Sequence, residues 1–155
     1  MASRTDLTWE QFNHLIDEIA QSVRPRPDAI VGIARGGLPG LTALASRLGV
    51  RDVGVAFVRS TATDSEFPTR LSSVACRALE LPGAVGFDHV LLFDDIVRSG
   101  RSMQAAHEAV SALGISSVQH AALFAEPAAV APGTIYAREV DPTTWVRFPW
   151  DDWAD

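Results

Sequence analysis

The chain has 155 residues, a length typical of one domain, and its 47% hydrophobic and 21% charged residues are average for a globular protein. The net charge of −6 argues against a nucleic-acid coat and a polybasic membrane binder, so we expect no nucleic acid and no membrane among its partners. The single cysteine, Cys76, excludes an internal disulfide framework and fits a cytoplasmic protein. All 13 basic residues are arginines, which excludes a Walker A lysine and a Schiff base.

Helices and strands are predicted to alternate along the chain. The first helix, residues 8–23, has a capping-box pattern at Thr8 and Gln11, and Trp9 begins its apolar face. Residues 61–70 show no pattern and are predicted to form a loop. The other predictions, in chain order, are a strand at 28–34, a helix at 38–49, a strand at 53–60, a helix or strand at 72–80, a strand at 89–93, a helix at 102–113, a strand at 117–125 and one more strand in the tail. This pattern predicts an α/β fold in one domain, 1–155, with a central, mostly parallel sheet flanked by helices.

The first candidate site is the turn "VGIARGGLPG", residues 31–40, between a predicted strand and a predicted helix. Gly36 and Gly37 can adopt backbone angles closed to other residues, and their N–H groups, together with Arg35, are suited to bind an anion. The helix that follows adds the positive end of its dipole. The alternative is a tight strand-to-helix turn with a solvated Arg35.

The second candidate site is "VLLFDDIVRSGRSM", residues 90–103. Asp94 and Asp95 follow a predicted buried strand, where they can accept hydrogen bonds from two neighbouring hydroxyls or hold Mg²⁺ through water. The small polar turn at 99–102 begins the next helix, and its N–H and O–H groups suit a phosphate monoester. A ribose 5-phosphate carries a diol and a phosphate in this arrangement. The alternative is that the acid pair only caps a turn.

Residues 90–103 resemble the phosphoribosyl-diphosphate (PRPP) motif of type I phosphoribosyltransferases. "IVGIARGGLPG" resembles the pyrophosphate loop of the same family, in which a backbone amide, often in a cis peptide, faces the diphosphate. The tail "TTWVRFPWDDW" resembles the C-terminal hood of the bacterial xanthine-guanine branch. The resemblance covers nearly the whole chain. It implies a Rossmann-like fold with a short hood at about residues 126–155, and a homodimer or homotetramer.

The resemblance implies a role for each matching residue. Asp94 and Asp95 would hold the ribose 2- and 3-hydroxyls of PRPP, with Mg²⁺ nearby, held directly or through water. Arg35 would stabilise the leaving pyrophosphate, so Asp94, Asp95 and Arg35 are the expected catalytic residues. Loop 61–70 would close over the site and exclude water. The other PRPP-binding residues that the resemblance implies are Gly36, Gly37 and Arg59 at the pyrophosphate and Arg98, Ser99, Gly100, Arg101 and Ser102 at the 5-phosphate.

The base-binding residues implied by the resemblance depart from the family at two positions. Trp145 would stack on the base, and the backbone near Val146 would form hydrogen bonds with the edge of the base. Arg98 stands where 6-oxopurine enzymes usually have an aspartate that hydrogen-bonds the purine N7 and is the proposed proton acceptor or donor. An arginine cannot act as a base near neutral pH. Glu126 stands where the xanthine-guanine branch has a lysine that donates to the 6-oxo group. Both changes invert hydrogen-bond polarity, so we expect a base other than ordinary guanine or hypoxanthine. The alternative is that Arg98 and Glu126 pair with each other or with solvent.

These observations favour a PRPP-dependent transferase that acts on a purine or purine-like nucleobase. The second reading is a non-catalytic protein of the same fold that senses PRPP or nucleotides, which the missing acid–base group supports. A third class, an aspartyl phosphotransferase built on Asp94, would require a nearby lysine, and the sequence contains none. The four histidines, His14, His89, His107 and His120, show no ligand spacing and are expected to be structural. Trp150 and Trp153 are candidates for a lid on the base or for a dimer contact.

Overall fold

The computed structural model describes residues 2–60 and 69–151. Within these ranges the chain forms three α-helices: Trp9–Ser22 (α1), Gly37–Leu48 (α2) and Arg101–Ser111 (α3). The strands in the same ranges are Ser3–Asp6 (β1), Ala29–Ala34 (β2), Asp52–Val58 (β3), Cys76–Glu80 (β4), His89–Val97 (β5), Ser117–Ala125 (β6), Ile135–Glu139 (β7) and Thr144–Arg147 (β8). Most of the loop predicted at 61–70 lies outside the described residues. None of the described helices has the length and apolar character needed to cross a membrane.

Six strands form the central sheet in the order β4-β3-β2-β5-β6-β7. Only β4 runs antiparallel, against β3, and the other neighbours are parallel. Side chains alternate along each strand, so Leu91 and Phe93 pack with α1 and α2 on one face, whereas Val90 and Leu92 pack with α3 on the other. The predicted α/β fold with a mostly parallel, doubly covered sheet is therefore confirmed.

The first helix begins as predicted. The Thr8 hydroxyl accepts a hydrogen bond from the Gln11 backbone N–H at 3.1 Å, and the Gln11 side chain accepts one from the Thr8 N–H at 2.8 Å. The assignment of Trp9 to the inward face was wrong, because this side chain is 54% exposed. Its ring instead packs edge-on against Phe12 and tilts toward Trp150, with ring centroids 5.7 and 6.0 Å away.

The strands correct one further prediction, resolve an undecided segment and include one strand that was not predicted. The strand predicted at 89–93 continues to Val97, so Asp94 and Asp95 lie inside β5 rather than after it. The undecided segment 72–80 contains β4, which is a strand because it pairs with the edge of β3. The N-terminal strand β1 was not predicted. It pairs in parallel with β8 in a separate two-stranded sheet, which brings the two ends of the described chain together.

Helix α2 lies close against β5. A Cβ atom added at Gly40 would lie 2.1 Å from the Phe93 ring, and one added at Gly37 would lie 2.7 Å from the Phe93 carbonyl oxygen. Because Phe93 is fully buried, the ring has no room to move aside. This close approach places the turn that precedes α2 beside the two aspartates that follow Phe93.

Candidate active site

The two candidate motifs meet at the carboxyl ends of β2 and β5, which are neighbouring strands. The turn after β2 contains a cis peptide between Ala34 and Arg35, as the family resemblance suggested. A Cβ atom added at Gly36 would lie 2.2–2.7 Å from all three atoms of the Asp95 carboxyl group. The predicted pyrophosphate turn therefore contacts the acid pair directly. In open α/β sheets this edge is where ligands bind.

The charged forms of both members of the acid pair are disfavoured by burial. The Asp94 carboxylate accepts the Asp95 N–H at 2.9 Å, and the Asp95 carboxylate accepts the Ile96 N–H at 2.7 Å. Burial raises the pKa of Asp94 well above its usual range, and the neighbouring Asp95 charge raises it further. Burial also raises the pKa of Asp95 to about 6. Hydroxyl donors or a divalent cation would stabilise the ionised pair, so the site is suited to a diol and to Mg²⁺.

The predicted phosphate turn forms the start of α3. Gly100 has a φ of 76°, and a Cβ atom there would lie 2.3 Å from the Ala129 carbonyl oxygen, so both the backbone angle and the space require glycine. The Arg101 N–H donates to the Ser99 hydroxyl at 3.4 Å. The first N–H groups of a helix lack partners within the helix, and the dipole adds positive potential there. These features make the turn a candidate site for an anion.

The side chains of two predicted site arginines are engaged away from this turn. The Arg101 guanidinium donates to the carbonyl oxygens of Leu71 and Ser72 at 3.1 and 2.8 Å. Arg98 donates to the Glu126 carboxylate at 3.2 Å and to the Thr144 carbonyl oxygen at 2.6 Å. The Arg98–Glu126 side chains are only 17% and 20% exposed, so this ion pair is better shielded from water than a surface pair. The alternative raised from the sequence, that the two residues pair, is what the structure contains.

The remaining predicted residues lie beside β2 and β3 and in the C-terminal part of the chain. Arg59 follows β3, and both Arg59 and Arg35 are exposed. Trp145 and the buried Val146 lie on β8, directly after the residue whose carbonyl accepts the Arg98 bond. Trp150 stacks on Phe148 at 4.8 Å and packs against Phe12, so it joins the aromatic cluster of α1. Trp153 lies outside the described residues.

Two residues near the site were not singled out from the sequence, although Arg70 ends the loop, 61–70, that was expected to close over the site. Arg70 donates to the Ser99 hydroxyl at 3.4 Å, which places a guanidinium at the phosphate turn. Asp151 accepts the Phe148 N–H at 2.8 Å, and its charge contributes to the raised pKa of Asp95. The sequence showed both as charged residues beside recognised motifs, but only tertiary structure brings them to the site.

The histidines do not assemble a metal centre in the described part of the chain. His107 and His120 form a hydrogen bond between ring nitrogens at 2.8 Å. Burial and the neighbouring His107 lower the pKa of His120 to about 4. Within residues 2–60 and 69–151, no group of three or more histidine, cysteine or acidic side chains is arranged to hold a metal ion. A metal at Asp94 and Asp95 would therefore need ligands from the substrate or from water.

Comparison with known proteins identifies the family. The phosphoribosyl transferase domain family matches residues 7–152. The chain is 32% identical over 124 residues to a xanthine-guanine phosphoribosyltransferase of Cereibacter sphaeroides, covering 79% of this chain and 68% of that protein. Among solved structures, a purine phosphoribosyltransferase from Pyrococcus horikoshii Ot3 has a TM-score of 0.71 at 27% identity and covers 96% of this chain and 93% of its own. The Helicobacter pylori xanthine-guanine-hypoxanthine phosphoribosyltransferase also has a TM-score of 0.71, at 19% identity, with 97% and 95% covered.

The match over residues 7–152 and the 32% identity show that the chain belongs to the phosphoribosyl transferase domain family. The chain is thus an enzyme of the phosphoribosyltransferase class, as its sequence motifs indicated. The relatives named above are purine and xanthine-guanine phosphoribosyltransferases.

The close approach of Gly36 to Asp95 gives a first testable expectation. The substitution Gly36→Ala would place a methyl group where the Asp95 carboxylate lies, so we expect the carboxylate to move and turnover to fall about a hundredfold. Gly86→Ala is the matched control, because a Cβ atom there meets nothing within 4 Å. Steady-state kinetics of the two variants test this. Equal activity of both would show that the contact does not hold the carboxylate in place.

Proposed function

We propose that the chain transfers the 5-phosphoribosyl group of PRPP to a purine or purine-like base other than ordinary guanine or hypoxanthine. The products would be a nucleoside 5-monophosphate and pyrophosphate. The observation that carries the proposal is that three candidate parts are adjacent. Asp94 and Asp95 lie beside the turn at 35–37, and the phosphate turn at 98–102 directly follows their strand. These three parts match the diol, the pyrophosphate and the 5-phosphate of a single substrate.

The reaction follows from the charges of these groups. The bond between C1 of the ribose and the pyrophosphate oxygen breaks, and positive charge develops on the sugar ring. A base nitrogen then forms the new bond to C1 and gives its proton to water or to the released pyrophosphate. Asp94 and Asp95 hold the ring by its two hydroxyls, while Arg35 and the amides of Gly36 and Gly37 face the departing pyrophosphate. Most of the rate would come from holding the two reactants in line and from stabilising the leaving group.

Mg²⁺ fits this site because its preferred ligands are carboxylate, hydroxyl and phosphate oxygens. Asp94 and Asp95 would hold it, directly or through water, and a cation beside them would favour their charged forms, which burial disfavours. When bound, the metal supplies charge neutralisation for the pyrophosphate. Phosphoribosyltransferases as a family use Mg²⁺ with PRPP, which supports the assignment.

The choice of base rests on Arg98 and Glu126. The pair presents a carboxylate acceptor and a guanidinium donor where the resembled enzymes present a lysine donor and an aspartate. An exocyclic amine or ring N–H of the base would donate to Glu126, and a carbonyl or anionic substituent would accept from Arg98. Trp145 and the backbone of Val146, next to the Thr144 carbonyl that Arg98 contacts, would complete the base site.

We also expect a homodimer or homotetramer in the cytoplasm. Val53 and Phe57 share one face of β3 and are 41% and 45% exposed, so they offer an apolar strip for self-association. The lone thiol of Cys76 is compatible with a reducing compartment. Sedimentation equilibrium of the purified chain would measure the oligomeric state.

The test of the proposed function is a product assay by mass spectrometry. The protein is mixed with Mg²⁺, PRPP and a panel of purines, deazapurines and pyrimidines, and nucleoside monophosphates are sought. A product from an amino-bearing or otherwise modified purine, at a rate well above that with guanine, supports the proposal. Efficient turnover of guanine would contradict the proposed base preference. PRPP binding by calorimetry without any product would favour the sensor reading, and absence of PRPP binding would contradict the whole proposal.

A further inference from the structure

The phosphate turn, residues 98–102, contains two arginines whose side chains are both engaged elsewhere. Arg98 contacts Glu126 and the carbonyl oxygen of Thr144, and Arg101 contacts the carbonyl oxygens of Leu71 and Ser72. The charge that reaches the turn comes instead from Arg70, which donates to the hydroxyl of Ser99 at 3.4 Å. Arg70 belongs to a different part of the chain, just before the segment that Arg101 contacts.

These hydrogen bonds connect the phosphate turn with residues 70–72. The Arg101 guanidinium fixes the two carbonyls that directly follow Arg70, and the Leu71 N–H donates to the Ser60 carbonyl oxygen at 2.9 Å. The Ser99 hydroxyl accepts from both the Arg70 side chain and the Arg101 N–H, each at a long 3.4 Å. Long bonds to an exposed hydroxyl are readily replaced by shorter, charge-assisted bonds to a phosphate.

We propose that Arg70 is a ligand of the substrate 5-phosphate and that Arg101 is a positioning residue that holds Arg70 at the phosphate turn. The assignment rests on the proposed function. It reverses what the sequence suggests, because Arg101 lies within the motif and Arg70 does not. The amides at the start of α3 and the Ser99 hydroxyl bind the phosphate from one side, and the Arg70 guanidinium binds it from the other.

The test separates the 5-phosphate from the pyrophosphate by using two probes. Ribose 5-phosphate carries the diol and the 5-phosphate, and inorganic pyrophosphate carries neither. Binding of each probe, in the presence of Mg²⁺, is measured by calorimetry for the wild type, Arg70→Gln and Arg51→Gln. Arg51 is the matched control because it is an exposed arginine just before β3, at the amino end of that strand, whereas the candidate site lies at the carboxyl ends.

We expect Arg70→Gln to weaken ribose 5-phosphate binding roughly tenfold, the loss of one charge-assisted hydrogen bond, and to leave pyrophosphate binding unchanged. Arg51→Gln should change neither. If Arg70→Gln behaves like Arg51→Gln while the wild type binds ribose 5-phosphate, the assignment is overturned and the proposed function stands. If Arg70→Gln weakens pyrophosphate instead, Arg70 serves the other end of the substrate. A wild type that binds neither ribose 5-phosphate nor PRPP overturns both proposals.

The positioning role of Arg101 is tested by a double-mutant cycle. Arg101→Gln alone should weaken ribose 5-phosphate binding by a factor similar to Arg70→Gln, but it should add little in the Arg70→Gln background, because it acts through Arg70. Losses that multiply would overturn the positioning role. Arg101→Lys, which keeps the charge but cannot bridge two carbonyls as a planar fork does, should resemble Arg101→Gln. Thermal melting of each variant shows whether the fold is retained.

Discussion

The substitution Asp95→Asn should make the protein more stable and nearly inactive at pH 7.5. The carboxylate is held in a partly buried position where burial raises its pKa to about 6. Removing its charge takes away the cost of ionising a desolvated group next to Asp94, whose own pKa is raised in part by Asp95. In the proposed function Asp95 accepts a hydroxyl of the substrate diol, and the same change replaces this charged acceptor with a weaker, neutral amide, so we expect turnover to fall by at least a hundredfold.

The pH dependence of the stability gain has a definite sign. Below about pH 4 the Asp95 carboxyl is protonated in both the folded and unfolded states, so the variant gains nothing. Between about pH 4 and pH 6 the folded state keeps a proton that the unfolded state has released, so the free energy of unfolding of the wild type falls as the pH rises. Above pH 6 the difference in the free energy of unfolding between the variant and the wild type is constant. After allowance for solvent access, we expect Asp95→Asn to be more stable by about 1–2 kcal/mol there.

Chemical denaturation of the variant and the wild type at several pH values measures this difference. The comparison between the two proteins matters, because His120, with its pKa lowered to about 4, makes the fold lose stability toward acid in both. Asp28→Asn is a control of opposite sign. The Asp28 carboxylate accepts the N–H groups of Asp88 and His89, which lowers its pKa, so its substitution should destabilise the fold at neutral pH. A less stable Asp95→Asn variant at pH 7.5 would contradict the inference that burial disfavours the Asp95 carboxylate.

The fold was predictable because its elements carry local signals. The capping box at Thr8 and Gln11 fixes where α1 begins, and the fully apolar β2 indicates a buried parallel strand. Strand β1 was missed because all four of its residues are exposed, so no burial pattern marks it, and only the pairing with β8 makes it a strand. The length of β5 was underestimated for a related reason. Its last four residues include two aspartates, which local propensity disfavours in a strand but the neighbouring β6 accommodates.

The parts of the site were recognisable from motifs, but side-chain partners were not. The sequence identified the acid pair, the glycine turn and the phosphate turn, and the fold brings these to one edge. It gave no means of knowing that Arg101 turns to the carbonyls of residues 71 and 72, or that Arg70 reaches Ser99. Such contacts depend on where distant segments cross. Proximity in sequence does not predict such contacts, because an arginine side chain is long enough to leave its own motif.

The Arg98–Glu126 pair leads to the second large expected effect, a change in the accepted base. The double substitution Arg98→Asp with Glu126→Lys keeps a pair of opposite charges but puts the negative charge at position 98 and the positive charge at position 126. It also restores the residue types that the resembled 6-oxopurine enzymes carry at these positions. We expect the preference for guanine or hypoxanthine over the base accepted by the wild type to rise by at least a hundredfold, since a polar site that loses its matched partner discriminates strongly.

Each single substitution should lower stability and activity more than the double substitution does. Arg98→Asp places a second carboxylate beside Glu126 and leaves the Thr144 carbonyl oxygen without its donor, and Glu126→Lys places two cations together in a partly buried position. Both singles should therefore lose stability and activity, and the double variant should recover part of each. The ratio of kcat/KM for the two bases, measured for all four proteins, separates a change in specificity from a general loss of activity.

The Arg138–Glu18 pair provides the matched control for this reversal. Its charges lie 2.6 Å apart, its side chains are 50% and 48% exposed, and it joins β7 to α1 away from the phosphate turn. Reversing it with Arg138→Glu and Glu18→Arg should leave the base preference unchanged. If reversal of Arg98 and Glu126 also leaves the preference unchanged while activity recovers, the pair serves only to connect β5 to the segment after β6. The unusual polarity at these two positions would then have no bearing on which base is bound, and the base would have to be read by Trp145 and the backbone of β8.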